Sequence, residues 1–533
     1  MKRKFSLVLI LALSLPTLAG CGRSEQDAPM AFDGLAPLVP GDADQAFFLD
    51  FEPGGEAGRH WEHIRAQLEA DPTGEEALRG LTYQFRVEEY GLDEVIVGPA
   101  VSGYWKGAEY VVMELNDEEA ARDVLLGHFE GVTWEQDEFE GKTIYHRRNP
   151  DSYQERERLA WTIFDRLLFL ASRHDHEPLG QLQSLVSLTE EDSLAAFPSW
   201  RTLRKRLPAR PMGLVFFNVS EQARRNPPAL GDTSPGAVLV QQIEAIALAA
   251  MPETDGMRVE VVGSFARKAD DVPELRPLFD LPAVDAAAWP GLPADTAIAL
   301  FAHDASVVWP LLKDLFILDV DSLDLLRDTI GLDLEADLLS AEGPLTGDLA
   351  LGISPPLPDQ PISQGLTAAQ LLILARGATE AQADAVRAAM ESRGAVFGPR
   401  EVEGVALQTQ VGTEPTGYAI SYGFDGDTFL FGSSSDIIGQ GVAARREGQG
   451  LVATKAFRAV LATLPDEPTL VVYLNSRPLT DLMRANMTER EYQNQEENLL
   501  WRTFGAIGLG LRLQPDQLDG VLDFLLADWK EGG

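Results

Sequence analysis

Two histidine pairs have a spacing that could begin a metal site. His60 and His63 lie three residues apart in a predicted helix, where they share one face, and Glu56 could approach them. Zinc usually requires three or four ligands, and the zincin motif spaces its histidines four residues apart, so a solvated helix face explains this pair. The segment His174–His176 (His-Asp-His) follows a predicted strand, where a polar turn explains it. The sequence therefore predicts no bound metal.

A serine run could supply a nucleophile. Ser433, Ser434 and Ser435 stand between a predicted strand and a predicted helix and are followed by Asp436, which is where a nucleophile elbow would lie. The elbow requires Gly-x-Ser-x-Gly and a histidine partner, and the second half of the chain contains only His303. An N-cap of the following helix explains the serines more simply, so hydrolysis is the third of three functional hypotheses.

Two charged runs complete the candidates. Residues Asp319–Asp324 have the acidic pattern of a calcium loop but lack its sixth-position Gly and its closing Glu, which favours a helix start. The basic segment Arg201–Arg206 could face an acidic partner or the negative side of a membrane, although a solvated helix face is the simpler interpretation. No Walker A sequence and no Gly-x-Gly-x-x-Gly fingerprint occurs, so the sequence predicts no nucleotide and no other cofactor.

Length, charge and cysteine content narrow the function further. The chain has 533 residues, 44 Lys and Arg against 83 Asp and Glu, a formal net charge of −39 and one cysteine. Such an excess of negative charge repels nucleic acid and anionic lipid, so neither is expected as a partner. The length allows several domains, each with its own hydrophobic core.

The N-terminus predicts export and lipid anchoring. Lys2–Lys4 are positive, residues 5–15 form an apolar stretch too short to span a bilayer, and Leu18–Cys21 resembles the lipobox of bacterial lipoproteins. The resemblance implies cleavage after residue 20 and acylation of Cys21, with several fatty chains (palmitate among them) giving a stable membrane anchor. The mature chain would then hold no thiol for disulfides, zinc or nucleophilic catalysis.

The same resemblance implies a location. Residue 22 is Gly, whereas an Asp at this position would favour retention at the inner membrane. In a Gram-negative host, the resemblance therefore implies that the protein is anchored at the periplasmic face of the outer membrane. In a host with a single membrane, the anchor would hold the protein on its outer face.

An internal duplication organises the rest of the chain. Residues 194–218 align without a gap on residues 451–475 with eight identities in 25 positions, and four shorter matches extend outward in the same order. The sequence therefore predicts a signal peptide (1–20), a lipidated cysteine with a flexible tether (21–34) and two tandem modules (35–285 and 290–530). Strands joined by tight turns predict an α+β fold with mostly antiparallel sheets, and a helix is predicted over Val238–Ala250.

A family resemblance accompanies these motifs. The segments Leu38–Ala43 (LVPGDA) and Leu292–Ala297 (LPADTA), the Glu-x-Glu-Gly hairpins and the Phe-Asp…Phe-Leu strand pairs resemble an exported bacterial family known only as domain of unknown function 3352. The resemblance implies an envelope location and brings no catalytic residue. The leading hypothesis is a non-catalytic envelope lipoprotein that binds or scaffolds other envelope components. The alternative is a lipid-anchored solute-binding protein, which a deep cleft between the modules would favour.

Overall fold

A computed structural model describes most of the chain after residue 31. The described residues are 32–50, 55–69, 85, 91–92, 95–128, 133–147, 158–173, 178–225, 235–266, 272–273, 275–309, 332–340, 342–356, 369–412, 419–486 and 504–526. They separate into two compact units: the N-terminal unit holds the described parts of 6–231 and 240–266, and the C-terminal unit holds those of 267–533 together with 235–239. No helix among the described residues is long and apolar enough to cross a membrane.

The described residues of the N-terminal unit form ten strands. They are β1 (Gln45–Asp50), β2 (Ile96–Trp105), β3 (Ala108–Leu115), β4 (Trp134–Phe139), β5 (Lys142–Arg147), β6 (Arg158–Phe164), β7 (Leu167–Arg173), β8 (Gly213–Asn218), β9 (Ile243–Glu253) and β10 (Gly256–Phe265). Its helices are α1 (Phe32–Leu35), α2 (Gly55–Glu69), α3 (Glu118–His128), α4 (Leu179–Val186), α5 (Pro198–Arg204) and α6 (Val219–Arg225). The next helix, α7 (Pro235–Gln242), is divided between the two units.

The part of the C-terminal unit that the structure describes also has ten strands. They are β11 (Ile298–His303), β12 (Asp348–Ser354), β13 (Gln370–Arg376), β14 (Phe397–Val402), β15 (Val405–Gln410), β16 (Ser421–Asp425), β17 (Thr428–Gly432), β18 (Leu470–Asn475), β19 (Phe504–Gln514) and β20 (Gln517–Leu526). Its helices are α8 (Arg276–Phe279), α9 (Glu380–Ser392), α10 (Ser435–Glu447), α11 (Lys455–Thr463) and α12 (Ser476–Asn486).

Every strand pair within each unit is antiparallel. The order in the N-terminal unit is β4-β5-β6-β7-β3-β2-β1-β8-β9-β10. In the C-terminal unit it is β14-β15-β16-β17-β13-β12-β11-β18-β19-β20. The prediction of an α+β fold with mostly antiparallel sheet is therefore confirmed.

The two units also share pairing registers. Gln45 faces Phe217 across β1 and β8, and Ile298 faces Leu474 across β11 and β18. The hairpins β4–β5 and β14–β15 each have six paired positions joined by a two-residue turn. In both turns Glu-Gly has positive φ, 49° and 74° at Glu140-Gly141 and 51° and 70° at Glu403-Gly404, as a type I′ hairpin requires.

Hydrophobic side chains cover the sheets. In the N-terminal unit Trp200 stacks on Phe48 with ring centroids 5.4 Å apart and meets Phe216 edge-on at 5.6 Å. In the C-terminal unit, Phe301 packs in one cluster with α10 and α11, and the next residue, Ala302, packs in another with α9. Successive strand residues point to opposite faces, so this sheet is buried on both sides.

The prediction of a helix over Val238–Ala250 is wrong for most of its length. The helix ends at Gln242, and the remaining residues belong to β9, which pairs with β8 and β10. Ala245, Ala247 and Ala249 alternate into the hydrophobic core of that unit. Alanine has the strongest helix preference of the amino acids, but such preferences are small in free energy, and pairing with two strands and burial of one face outweigh this one.

Candidate functional site

Several candidates from the sequence lie outside the described residues. Cys21, the segment His174–His176 and the acidic run Asp319–Asp324 are among them, as is the side chain of Glu56. Their predicted roles stay predictions.

His60 and His63 lie on α2 and have different neighbours. The Nδ1 atom of His60 is 3.4 Å from the carbonyl oxygen of Pro252, whereas Nε2 of His63 is 3.2 Å from the Gln67 amide one turn further along. Among the described residues, no group of three or more His, Cys, Asp or Glu side chains is arranged to hold a metal ion. These contacts give each histidine an ordinary structural environment.

The serine run forms a helix start. Ser434 is the N-cap of α10, where the Ile437 N–H donates to its Oγ over 3.3 Å. The hydroxyls of Ser433 and Ser434 both donate to Oε1 of Gln370, at 3.2 and 2.9 Å. The N-cap interpretation is therefore confirmed for Ser434.

His303 has a different set of contacts. It lies at the end of β11 with Nδ1 2.5 Å from Oδ1 of Asp348, its register partner on β12. Its contact is thus with a carboxylate across the sheet, whereas Ser433 and Ser434 bond to Gln370.

The basic segment Arg201–Arg206 is used partly to close the fold. Arg204 donates to the carbonyl oxygen of Pro208 over 2.7 Å, and Arg206 donates to that of Gly263 over 2.9 Å. These bonds satisfy main-chain oxygens in the turn after α5 and on β10. Lys205 is exposed, so only part of this segment is a solvated face.

A groove in the C-terminal unit is the site that sequence reasoning missed. It has a volume of about 670 Å³ and lies between α9 and the strands β14, β15 and β16. The helix wall carries Glu380, Asp384 and Arg387, and the strands contribute Pro399, Arg400, Glu401, Ala406, Leu407, Gln408, Tyr422, Gly423 and Phe424. A groove of this size can hold a side chain or a small ligand.

Ion pairs occupy the two arginines of the groove. Arg387 lies 3.1 Å from Asp384 and 3.9 Å from Glu391, both on its own helix. Arg400 lies 3.3 Å from Asp436 at the start of α10, the helix that covers the other face of the sheet. Both arginines are therefore already neutralised by neighbouring carboxylates.

Two carboxylates of the groove lack such partners. Glu380 is in the first turn of α9, and Glu401 is on β14. Both side chains are exposed, and neither forms an ion pair with another described residue. The uncompensated charge along the groove is thus negative.

Tyr422 provides a buried polar group to the groove. The residue is only 4% exposed, and its hydroxyl oxygen is buried near the side chain of Arg387. Burial raises the pKa of this hydroxyl, whereas the positive charge of Arg387 and a hydrogen bond with its side chain lower the pKa by less. The group is therefore a neutral phenol at physiological pH, able to donate and to accept a hydrogen bond.

The N-terminal unit has two stacked rings at the register positions that correspond to Gln408 and Tyr422. Tyr145 on β5 faces Trp161 on β6, and in the C-terminal unit Gln408 on β15 faces Tyr422 on β16. The two pairs occupy equivalent positions of their strands. Tyr145 and Trp161 stack with centroids 4.2 Å apart and planes 12° apart, whereas Gln408 offers no ring to Tyr422. The second ring contact is kept: Trp134 meets Trp161 edge-on at 5.7 Å, and Phe397 meets Tyr422 edge-on at the same distance. The groove therefore lies where the C-terminal unit lacks the stacked ring pair of the N-terminal unit.

The family comparison concerns most of the chain. The family model described as "Protein of unknown function (DUF3352)" matches residues 106–511, about three quarters of the sequence. The chain belongs to this family. The DUF3352 match covers every residue of the groove and supplies no activity. No curated protein matches the chain.

Two solved structures show a weak likeness to this DUF3352 protein. "Structure of crystal form III of TP0453" has 9% identity and a TM-score of 0.27, covering 49% of this chain and 90% of that one. "Structure of crystal form I of TP0453" has 9% identity and a TM-score of 0.26, covering 47% and 86%.

Proposed function

We propose that this protein is a non-catalytic envelope lipoprotein, anchored through Cys21, which binds another envelope component through the groove of its C-terminal unit. The observation that carries the binding role is the groove itself, where the exposed carboxylates of Glu380 and Glu401 form no ion pair with another described residue. The lining contains no His, Ser, Cys or Lys, so it offers no serine or cysteine nucleophile with a histidine base.

The proposed anchor rests on the N-terminal sequence. A charged start, a short apolar stretch and Leu-Ala-Gly-Cys support export and acylation at Cys21. Several acyl chains would hold the protein at the periplasmic face of the outer membrane, or on the outer face of a single membrane.

The two units are proposed to be tandem copies of one module. The equal strand order and registers support this, as do equivalent backbone bonds. The Asn218 N–H donates to the carbonyl oxygen of Asp44, and the Asn475 N–H donates to that of Ala297. Arg201 and Arg458, identical in the aligned segments, each donate to a carbonyl oxygen of the short turn before their helix, at 2.7 and 2.9 Å.

Affinity purification from intact envelopes tests the binding role. The wild-type chain with Cys21 retained is compared with a double variant, Gln408→Tyr with Tyr422→Trp, in which the ring pair of the N-terminal unit fills the groove. We expect a protein that co-purifies with the wild type and is lost from the variant. The proposal fails if the same proteins are recovered with both, or if none is recovered.

The groove also suits a second candidate function, solute binding. Its volume of about 670 Å³ lies within the range of small-molecule sites, about 300–1,000 Å³. Recovery of a small molecule from wild-type protein but not from the double variant, without any protein partner, would favour this function.

A further inference from the structure

Three exposed cations of the N-terminal unit, Arg201, Lys205 and Arg210, form a basic face. Arg201 lies on α5 and Lys205 directly follows that helix in a helical conformation, so the two residues are one turn apart. Arg204 donates to the carbonyl oxygens of the two residues before Arg210, both over 2.7 Å, which folds the turn that carries Arg210 back on the end of α5. None of the three cations forms an ion pair with another described residue.

The fold does not require two of these charges. In the gapless alignment of residues 194–218 with residues 451–475, Lys205 corresponds to Ala462 and Arg210 corresponds to Glu467. The C-terminal unit nevertheless forms the equivalent helix, α11, and the equivalent strand, β18. Lys205 and Arg210 are therefore available for contact with a partner.

The basic face lies beside the first residues that the structure describes. Helix α1 begins at Phe32, and the next residue, Asp33, accepts two bonds from Arg204 of α5, at 2.8 and 3.2 Å. Phe32 and Trp200 of α5 belong to the same hydrophobic cluster. Phe32 is eleven residues after Cys21, and a chain of that length spans at most about 40 Å. An anchor at Cys21 would therefore keep the membrane surface close to the helix that carries the basic face.

We infer that the basic face contacts anionic phospholipid headgroups of the membrane to which the protein is anchored. The inference rests on the proposed function, because it requires the acyl chains on Cys21. A cation close to an anionic membrane surface strengthens binding about fivefold. Since several acyl chains already hold the protein, the basic face would orient the N-terminal unit on the bilayer rather than recruit it.

The negative net charge of the chain does not prevent this contact. The charge of −39 disfavours the approach of the free protein to an anionic surface, but an anchored protein is held at that surface. Screening limits each interaction to about 8 Å at physiological salt. The carboxylates of Glu190–Asp192 precede α5, whose seven residues span about 10 Å, whereas Lys205 and Arg210 follow it. Asp33 is paired with Arg204, so the local charge of the basic face is positive.

A lipid surface fits the basic face better than an acidic protein does. The anchor keeps headgroups at a high effective concentration near the basic face, whereas a protein must lose translational and rotational freedom in order to associate. Lipid headgroups can also adapt to cations at irregular spacing, such as these, without a complementary rigid surface.

Fluorescence quenching on the full acylated chain tests the inference. The protein is reconstituted into vesicles of phosphatidylcholine, with or without phosphatidylglycerol, that carry a quencher on the lipid headgroups. A dye is attached at Thr202→Cys, an exposed position of α5, because acylation blocks Cys21, the one cysteine of the natural chain. We expect stronger quenching in the anionic vesicles than in the neutral ones, and a loss of this difference as salt is raised. Equal quenching in the two kinds of vesicle would overturn the inference.

Charge variants locate the contact. Lys205→Gln should lower the ratio of quenched to unquenched protein in anionic vesicles about fivefold, and Lys205→Gln with Arg210→Gln should lower it about thirtyfold. Both side chains are exposed, so the unfolding temperature should not change. Lys455→Gln removes a lysine charge from α11, the equivalent helix of the C-terminal unit, and should change the ratio by less than about twofold. Equal effects of the two single lysine changes would contradict the assignment.

Two further measurements separate this inference from the proposed function. Mass spectrometry of the peptide that contains Cys21 shows whether the chain is acylated. If it is acylated but the two kinds of vesicle quench equally, the anchor stands and the lipid contact is wrong; if it is not acylated, the anchor is wrong and the inference fails with it. Loss of a co-purifying protein from the Lys205→Gln with Arg210→Gln variant, without a change in quenching, would overturn the lipid contact in favour of an acidic protein partner.

Discussion

Filling the groove should stabilise the C-terminal unit. The double variant Gln408→Tyr with Tyr422→Trp places on β15 and β16 the two ring types that stack in the N-terminal unit with centroids 4.2 Å apart. A ring pair of this kind contributes about 0.5–1.5 kcal/mol beyond the area that it buries. With some additional apolar burial, we expect a gain of about 1–2 kcal/mol in the free energy of unfolding.

Differential scanning calorimetry measures this gain. For a unit of this size about 1 kcal/mol shifts the melting temperature by about 2–4 °C, so the transition of the C-terminal unit should rise by about 2–8 °C. The single variants Gln408→Tyr and Tyr422→Trp complete a double-mutant cycle, and the coupling between them should be favourable. A lower melting temperature with no favourable coupling would refute the view that a missing ring stack makes the groove.

Three further predictions concern the fold. Arg393 donates to the buried carboxylate of Asp337 over 2.5 and 3.0 Å, and Arg393→Met would leave that carboxylate without its cation. The free energy of unfolding measured in urea should fall by about 3–5 kcal/mol, and a fall below about 1 kcal/mol would contradict this. Burial raises the pKa values of Tyr110 and Tyr473, so these groups stay protonated in the folded state while the unfolded state ionises. The free energy of unfolding should therefore fall as pH rises above about 10, by up to about 1.4 kcal/mol per pH unit for each tyrosine, and tyrosinate absorbance should report both groups only on unfolding. Gly508→Ala would place a Cβ against Val460 of α11 and should cost about 1–3 kcal/mol, whereas Gly127→Ala in α3, where a Cβ has open space, should gain about 0.5–1 kcal/mol.

The hairpins could be predicted from sequence because their turns depend on local chemistry. Glu140-Gly141 and Glu403-Gly404 supply the positive φ values that close two-residue turns. The N-cap at Ser434 could be predicted for the same reason, since a cap is a contact between residues three apart. Strand β9 could not, because its alanines become a strand only through pairing with β8 and β10.

The groove depends on contacts that no local pattern contains. Glu380 and Glu401 line the same groove because α9 lies over strands that follow later in the chain. One signal was present in the sequence, however. Continuing the alignment of the Glu-x-Glu-Gly hairpins by a few residues pairs Tyr145 with Gln408, an exchange of a ring for an amide at a strand position. Such an exchange between equivalent positions predicts lost packing, and therefore space, before any coordinates are known.

The proposed duplication gives a physical reason why the two units differ at the position of the groove. The residues that the aligned segments share close turns and bond to the backbone, as Arg201 and Arg458 do, so each unit needs them in order to fold. The C-terminal unit does not need an equivalent of the Tyr145–Trp161 ring stack in order to fold. It retains the edge contact of Phe397 with Tyr422 and the apolar core behind it. A copy that keeps its turns and core can thus lose one stack and still fold. The space at the missing stack is lined by charges that differ from those of the N-terminal unit. A binding function can arise in this space without loss of the fold.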